Sequence, residues 1–184
     1  MPLMRTQIPP HKVLILGNGG SGKTVLAEQL RKKLATALLS LDSIYWTQGW
    51  THQCPALYLK TVEDFMKNDH WIIEGTPMLG LQRRIEQATL IIFIDLPRIQ
   101  CIKNAVIRSF SHRFNKKKNP SGCPAIKINR ATIQWIWQFN SRQKKTILEQ
   151  LADTDKPLIT LHSRKEVQQF IKKWSSVNRH PRYS

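Results

Sequence analysis

Short apolar runs alternate with stretches of helical spacing along most of the chain. Five apolar runs predict buried strands: KVLILG (12–17), ALLSLD (37–42), WIIEG (71–75), LIIFIDLP (90–97) and PLITLH (157–162). Elsewhere, apolar residues recur every three or four positions, which indicates helices over 24–35, 55–67, 81–88, 98–114, 128–150 and 164–174. Strands that alternate with helices predict an α/β domain, in which helices cover both faces of a parallel sheet.

Length and composition predict how this domain is bounded. At 184 residues the chain suits a single domain with a buried core. We expect a disordered leader over residues 1–11, one domain over 12–174 and a flexible tail over 175–184. No apolar run approaches the ~20 residues of a membrane span, and the N-terminus lacks the apolar core of a signal peptide. These features predict a cytoplasmic protein without membrane contact.

Positive charge is concentrated in one part of the chain. The formal net charge is +17, and segment 96–148 contains no acidic residue, so it attracts polyanions. Its densest stretch is SHRFNKKKNP, residues 111–120. This stretch is either part of a DNA or RNA surface within 98–145 or a cover that closes over nucleotide phosphates. A solvated basic face is a third alternative.

The segment GNGGSGKT matches the pattern G-x-x-x-x-G-K-[ST] between a predicted strand and a predicted helix. Glycines let backbone amides turn toward phosphates, and the N-terminus of the following helix favours negative charge. Lys23 is placed to reach the terminal phosphates, and the Thr24 hydroxyl is suited to Mg²⁺. The motif therefore predicts a site for a nucleoside triphosphate. Its expected nucleotide-binding residues are Gly17, Asn18, Gly19, Gly20, Ser21, Gly22, Lys23 and Thr24.

Three acidic residues lie at or near the C-terminal ends of predicted strands, at the edge where parallel sheets bind ligands. Asp42 is placed to accept a proton from an attacking hydroxyl or to anchor an acceptor, although aspartate also suits a helix or turn cap. Glu74 is a candidate to hold Mg²⁺, and Asp95 is the competing candidate. We favour Glu74, because Asp95 stands just before Leu96-Pro97 and suits a plain turn.

Two further residues suit the binding of an acceptor. Arg84 lies in the helix after the third strand, and a guanidinium binds a phosphate or carboxylate through two parallel hydrogen bonds. Arg83 shares this chemistry, and a solvated helix face is the alternative for both. Trp46 offers a ring that could stack on a base, or it packs as part of the core.

Several fragments together resemble a known family. In chain order they are GNGGSGKT, LDSIYWTQGW, WIIEGT, LIIFIDLPR, GCP, WIWQF and SRKEV. They resemble the DNA topology modulation proteins, a branch of the adenylate-kinase-like P-loop kinases, over roughly residues 12–174. The resemblance implies a three-layer α/β/α P-loop NTPase with a five-stranded parallel sheet and a helical lid insertion over about 108–130.

The resemblance also implies ATP and Mg²⁺ as cofactors and assigns roles to single residues. Lys23 and Thr24 would contact phosphate and magnesium, with Glu74 where the family usually has Asp. Further matches are the family arginine Arg84, the lid arginines Arg108 and Arg113, and Ser163 and Arg164 in the loop under the adenine. The chain departs from the family at Glu74, at Thr76-Pro77 in place of Asn-Tyr, and at Thr89 in place of Asp.

These observations lead to one hypothesis and two alternatives. The hypothesis is an ATP-dependent phosphotransferase with a small acceptor, such as a nucleoside or nucleotide, with Lys23, Asp42, Arg108 and Arg113 as catalytic residues. The first alternative is a nucleotide-regulated DNA- or RNA-binding protein. The second is a weak ATPase that acts as a switch. We favour a basic lid, because it uses the phosphate loop already found.

Overall fold

A computed structural model describes residues 11–112 and 129–177. Five strands form one parallel sheet in the order β2-β5-β1-β6-β7, and β3 and β4 form a separate antiparallel pair. This confirms the α/β fold with a five-stranded parallel sheet. The strands are β1 (Lys12–Gly17), β2 (Ala37–Ser40), β3 (Trp46–Thr47), β4 (Thr51–His52), β5 (Trp71–Glu74), β6 (Leu90–Ile94) and β7 (Leu158–Leu161).

Helices cover both faces of the sheet. Leu14 and Leu16 of β1 belong to a core that includes residues of α3, α4 and α7, while Val13 and Ile15 face a core with α1, α5 and α8. This alternation is expected for a central parallel strand buried on both faces. The helices are α1 (Lys23–Leu34), α2 (Leu41–Tyr45), α3 (Pro55–Met66), α4 (Leu81–Gln87), α5 (Arg98–His112), α6 (Arg130–Phe139), α7 (Lys145–Ala152) and α8 (Arg164–Val177).

The strand register brings the polar residues after the strands to one edge of the sheet. Glu74 of β5 pairs with Ile15 of β1 on one side and with Ser40 of β2 on the other. Gly17, the last residue of β1, pairs with Ile94, the last residue of β6. The phosphate loop follows β1, and Glu74 is the last residue of the adjacent strand β5. Both therefore lie at the same end of the sheet.

Two predicted elements differ from the structure. The second strand is shorter than predicted, and Asp42 lies in the first turn of α2 because the chain turns after Ser40, where the Ser43 hydroxyl donates to the Ser40 carbonyl at 2.6 Å. The helix predicted over 128–150 is present as a continuous helical stretch over 130–152, but it is not α-helical throughout. A π-helical segment (Asn140–Lys144) separates α6 from α7, which helical periodicity alone does not reveal.

Several expectations fall outside the described residues. They are the leader before residue 11, the end of the tail after 177 and the central part of the predicted lid, which contains Arg113. Within the ranges that the structure does describe, no helix is long and apolar enough to cross a membrane.

Candidate active site

The phosphate loop connects β1 to α1 and depends on glycine. Gly17, Gly20 and Gly22 have φ angles of 146°, 77° and 95°, a range that residues with a Cβ rarely adopt. A Cβ at Gly17 would also lie 2.5 Å from the carbonyl oxygen of Ile94. The loop thus combines a backbone shape that needs glycine with close packing against the neighbouring strand.

Lys23 begins α1, and its side chain is 8% exposed. Its ammonium donates to the carbonyl oxygens of Gly17 and Asn18, each at 2.9 Å. The side chain therefore lies along the start of the loop that precedes it. A cation at this position would face a phosphate held by the loop amides.

Glu74 is 1% exposed at the end of β5 and joins two hydroxyl groups. Its Oε1 accepts from Thr24 Oγ1 at 3.1 Å and from Ser40 Oγ at 2.6 Å. Its Oε2 is buried and has no hydrogen-bond partner among the described residues. Burial raises the pKa of the Glu74 carboxyl, while the nearby charge of Lys23 opposes the rise.

The oxygens around Glu74 fit the requirements of Mg²⁺. This ion prefers oxygen ligands and is usually held by one or two carboxylates together with substrate phosphates, rather than by a cage of protein groups. The described residues contain no cluster of three or more His, Cys, Asp and Glu side chains that could cage a metal. The Oε2 of Glu74, which has no partner among the described residues, and the Thr24 hydroxyl are suitable groups beside a loop whose motif predicts phosphate binding.

Asp95, the competing candidate for magnesium, is engaged elsewhere. Its carboxylate lies 2.7 Å from the ammonium of Lys144, in the π-helical segment, and 3.6 Å from Nδ1 of His162. Glu74 is the acidic residue that contacts Thr24. Glu74, and not Asp95, is thus the carboxylate beside the Thr24 hydroxyl, and its role toward Mg²⁺ stays a prediction.

Two loop contacts involve residues that sequence reasoning missed. The hydroxyl of Thr76 donates to the Gly17 carbonyl at 2.6 Å, and the side-chain amide of Asn104 donates to the Gly20 carbonyl at 2.9 Å. Asn18, which the motif does include, donates to the Ile136 carbonyl at 2.9 Å. Thr76 and Asn104 are far from the loop in sequence, and no local pattern marks either residue.

Asp42 and Trp46 follow β2, the strand that pairs with β5 on the side away from β1. Asp42 is exposed, and its negative charge is close enough to raise the pKa of Glu74. Trp46 is half-buried, and its ring lies 4.5 Å from that of His52 in the β3–β4 pair. Tyr45 packs edge-on against Tyr58 with 5.4 Å between ring centroids, which links this aromatic group to α3.

Arg84 does not reach the surface, although it was a candidate to bind an acceptor. It is fully buried, and its guanidinium donates to the Tyr58 hydroxyl at 2.9 Å, to the Leu79 carbonyl at 3.1 Å and to the Pro77 carbonyl. These bonds hold the chain that follows β5. In this arrangement the guanidinium is covered, which argues against a direct contact between Arg84 and an acceptor. Such a contact stays a prediction.

The buried contacts of Arg84 predict a large loss of stability on substitution. In an Arg84→Leu variant, buried carbonyl and hydroxyl acceptors lose their donor, so we expect the free energy of unfolding to fall by about 3 kcal/mol. Arg83→Leu is the matched control, since Arg83 is exposed and its ion pair with Glu86, at 3.6 Å, lies on the surface. Urea unfolding measures both variants, and equal losses would contradict this interpretation.

The remaining candidates have varied surroundings. Arg108 is exposed on α5, and Arg113 lies outside the described ranges. Ser163 forms a capping box with Glu166: it accepts from the Glu166 amide at 3.1 Å and donates to the carboxylate at 2.9 Å. Arg164, the first residue of α8, is exposed. Ser163 thus has a structural task, and the adenine role of both residues stays a prediction.

Comparisons with known proteins support the fold. The chain is similar to the crystal structure of a shikimate kinase from Bacteroides thetaiotaomicron, with a TM-score of 0.54 and 10% sequence identity over 92% of this chain and 98% of the other. No protein-family model matches the chain, and no curated protein does. The narrower resemblance to DNA topology modulation proteins is therefore not confirmed. The chain has the fold of a P-loop kinase.

Proposed function

We propose that this protein is a phosphotransferase that moves the γ-phosphate of Mg-ATP to a small acceptor, such as a nucleoside or nucleotide. The observation that carries the proposal is the convergence of three groups at the end of β1 and β5. They are the ammonium of Lys23, the hydroxyl of Thr24 and the buried carboxylate of Glu74. Phosphoryl transfer depends mainly on positioning and on positive charge near the transferring group.

The residues of the loop divide the binding task. The backbone amides of the phosphate loop and the N-terminus of α1 would hold the phosphates. Thr24 and Glu74 would hold Mg²⁺, which neutralises charge on the phosphates when it is bound. Lys23 would leave the carbonyls of Gly17 and Asn18 and contact the terminal phosphates. Ser163 and Arg164 remain candidates for the adenine side of the nucleotide.

Asp42 would act on the acceptor, and the two lid arginines would act on the phosphoryl group that is transferred. With a hydroxyl acceptor, the new bond forms between its oxygen and the γ-phosphorus, the bond to the β-phosphate oxygen breaks, and Asp42 takes the hydroxyl proton. With a phosphate acceptor no strong base is needed, and Asp42 would only orient it. Arg108 and Arg113 would stabilise the transferring phosphoryl group, and Trp46 and Arg84 remain candidates on the acceptor side.

A panel of acceptors tests the proposal. The purified protein is incubated with Mg-ATP and single nucleosides, nucleotides and hydroxylated metabolites, and the phosphorylated product is measured beside ADP. We expect one class of acceptor to raise ADP formation and to appear phosphorylated. ADP formation that no acceptor changes would contradict the phosphotransferase and favour the switch-like ATPase.

Nucleic acid is a separate arm of the same experiment. The nucleic-acid hypothesis depends on the basic segment at 111–120, most of which lies outside the described residues. Binding of duplex DNA or RNA through phosphate contacts would weaken steeply as salt rises. Such binding, together with ATP turnover that no small acceptor stimulates, would favour the nucleotide-regulated alternative.

A further inference from the structure

We propose that Asn104 is a positioning residue of the phosphate loop. Its side-chain amide holds the peptide between Gly20 and Ser21 in the orientation that the loop needs to receive a triphosphate. The identity of the ligand rests on the proposed function, whereas the effect of Asn104 on the loop itself does not.

The carbonyl groups of the loop need hydrogen-bond donors, and Asn104 of α5 supplies one of them. When backbone amides turn inward to form an anion site, the carbonyls point outward and need donors of their own. Most of these donors come from the loop and the start of α1: Lys23 serves Gly17 and Asn18, Ser21 N–H serves Asn18, and Leu26 N–H serves Gly22. Two carbonyls accept from distant segments: Gly17 accepts from Thr76 Oγ1 at 2.6 Å in addition to Lys23, and Gly20 accepts from Asn104 Nδ2 at 2.9 Å.

The amide of Asn104 is itself oriented by a neighbour. Gln100, one helical turn earlier in α5, donates its Nε2 to Asn104 Oδ1 at 2.9 Å. This bond turns the oxygen of Asn104 toward Gln100 and leaves its NH₂ group toward Gly20. The pair of bonds therefore forms a short chain from Gln100 through Asn104 to the loop.

The backbone at Gly20 has conformational freedom that a hydrogen bond can restrict. Glycine accepts both signs of φ, so a peptide beside it rotates at low energetic cost unless hydrogen bonds hold it. The Ser21 N–H at the other end of this peptide makes a long bond of 3.2 Å to the Asn18 carbonyl. A Cβ at Gly20 would lie 2.2 Å from the Cys101 carbonyl, so α5 packs directly against the loop.

Amide hydrogen exchange of the protein without nucleotide tests the effect on the loop. In Asn104→Leu, which removes the donor without adding charge, we expect amides of residues 17–24 to exchange about tenfold faster. Asn68→Leu is the matched control, because Asn68 also donates to a backbone carbonyl, that of Phe65 at 2.7 Å, at the end of α3. The control should leave exchange at 17–24 unchanged.

Calorimetry with Mg-ATP provides the second readout. We expect Asn104→Leu to weaken binding about tenfold. Gln100→Leu should weaken it less but in the same direction, because Gln100 acts on the loop through its bond to Asn104. If Asn104→Leu does not fold, Asn104→Ala and Gln100→Leu carry the test. Unchanged exchange at 17–24 would overturn the proposal even if Mg-ATP binds normally. Failure of the parent protein to bind Mg-ATP would instead contradict the proposed function.

Discussion

Replacement of Lys23 by Ala should reduce phosphoryl transfer by roughly 1,000-fold while the protein stays folded. The loss of activity follows from the position of the ammonium, which lies beside the loop carbonyls and would face the terminal phosphates. The fold should persist because both carbonyls keep a second donor. Thr76 Oγ1 donates to Gly17 at 2.6 Å, and Ser21 N–H donates to Asn18 at 3.2 Å.

Lys32→Ala is the matched control for this substitution. Lys32 lies on the same helix, α1, but is exposed in its last turn. Initial rates with Mg-ATP and the best acceptor, together with thermal unfolding, separate catalysis from stability for both variants. Turnover by Lys23→Ala at the parental rate would remove Lys23 from the catalytic group, and a collapse of its unfolding temperature would show that the lysine is needed for the fold.

The phosphate loop is the part of the site that sequence predicts best, because its constraints are local. A buried strand, glycines at Gly17, Gly20 and Gly22, and a helix that starts at Lys23 all lie within a short segment. The prediction that Glu74 ends a strand is confirmed for the same reason, since apolar residues immediately precede it in β5. Its contact with Thr24 then follows from the pairing of adjacent parallel strands.

Contacts between distant segments are the part that sequence does not predict. Asn104 lies 84 positions after Gly20, and in the sequence it is an ordinary polar residue of a helix. Arg84 is similar: a guanidinium at the surface would suit an acceptor, and only the packing of α3 against α4 shows that Tyr58 covers it. Their environments depend on the order of the strands and the packing of the helices, which no local pattern contains.

The region after β2 shows a second reason why the sequence does not predict some of the structure. Residues 41–52 combine a short helix, a two-residue strand pair and a 3₁₀ turn at Gln48–Trp50, in which Gly49 adopts a φ of 73°. Elements this short carry too few residues for a period of 2 or 3.6 to be recognised. Asp42 therefore appears in the sequence as the end of a strand, although in the structure it lies in the first turn of α2.

Glu74→Gln should lower phosphoryl transfer on the order of 100-fold and should change how stability depends on pH. Burial raises the pKa of Glu74 in the folded state above its ordinary value. The folded protein then holds this proton more tightly than the unfolded chain does. Its contribution to stability is present below the ordinary pKa and is lost as the pH rises toward the raised pKa. Gln removes the titration and keeps an oxygen that accepts from Thr24 and Ser40.

Thermal unfolding of both proteins, followed upward from about pH 4, near the ordinary pKa of a glutamate, measures this effect. As the pH rises toward the raised pKa, we expect the unfolding temperature of the parent protein to fall relative to that of Glu74→Gln. Above that pKa, the difference between the two unfolding temperatures should stay constant. Mg-ATP should recover stability in the parent and much less in the variant, because the variant lacks the charged oxygen beside Thr24. Glu63→Gln is the control, since Glu63 is exposed on α3 and has no role in the proposed site. Equal stabilisation of the parent and Glu74→Gln by Mg-ATP would exclude Glu74 from the magnesium site.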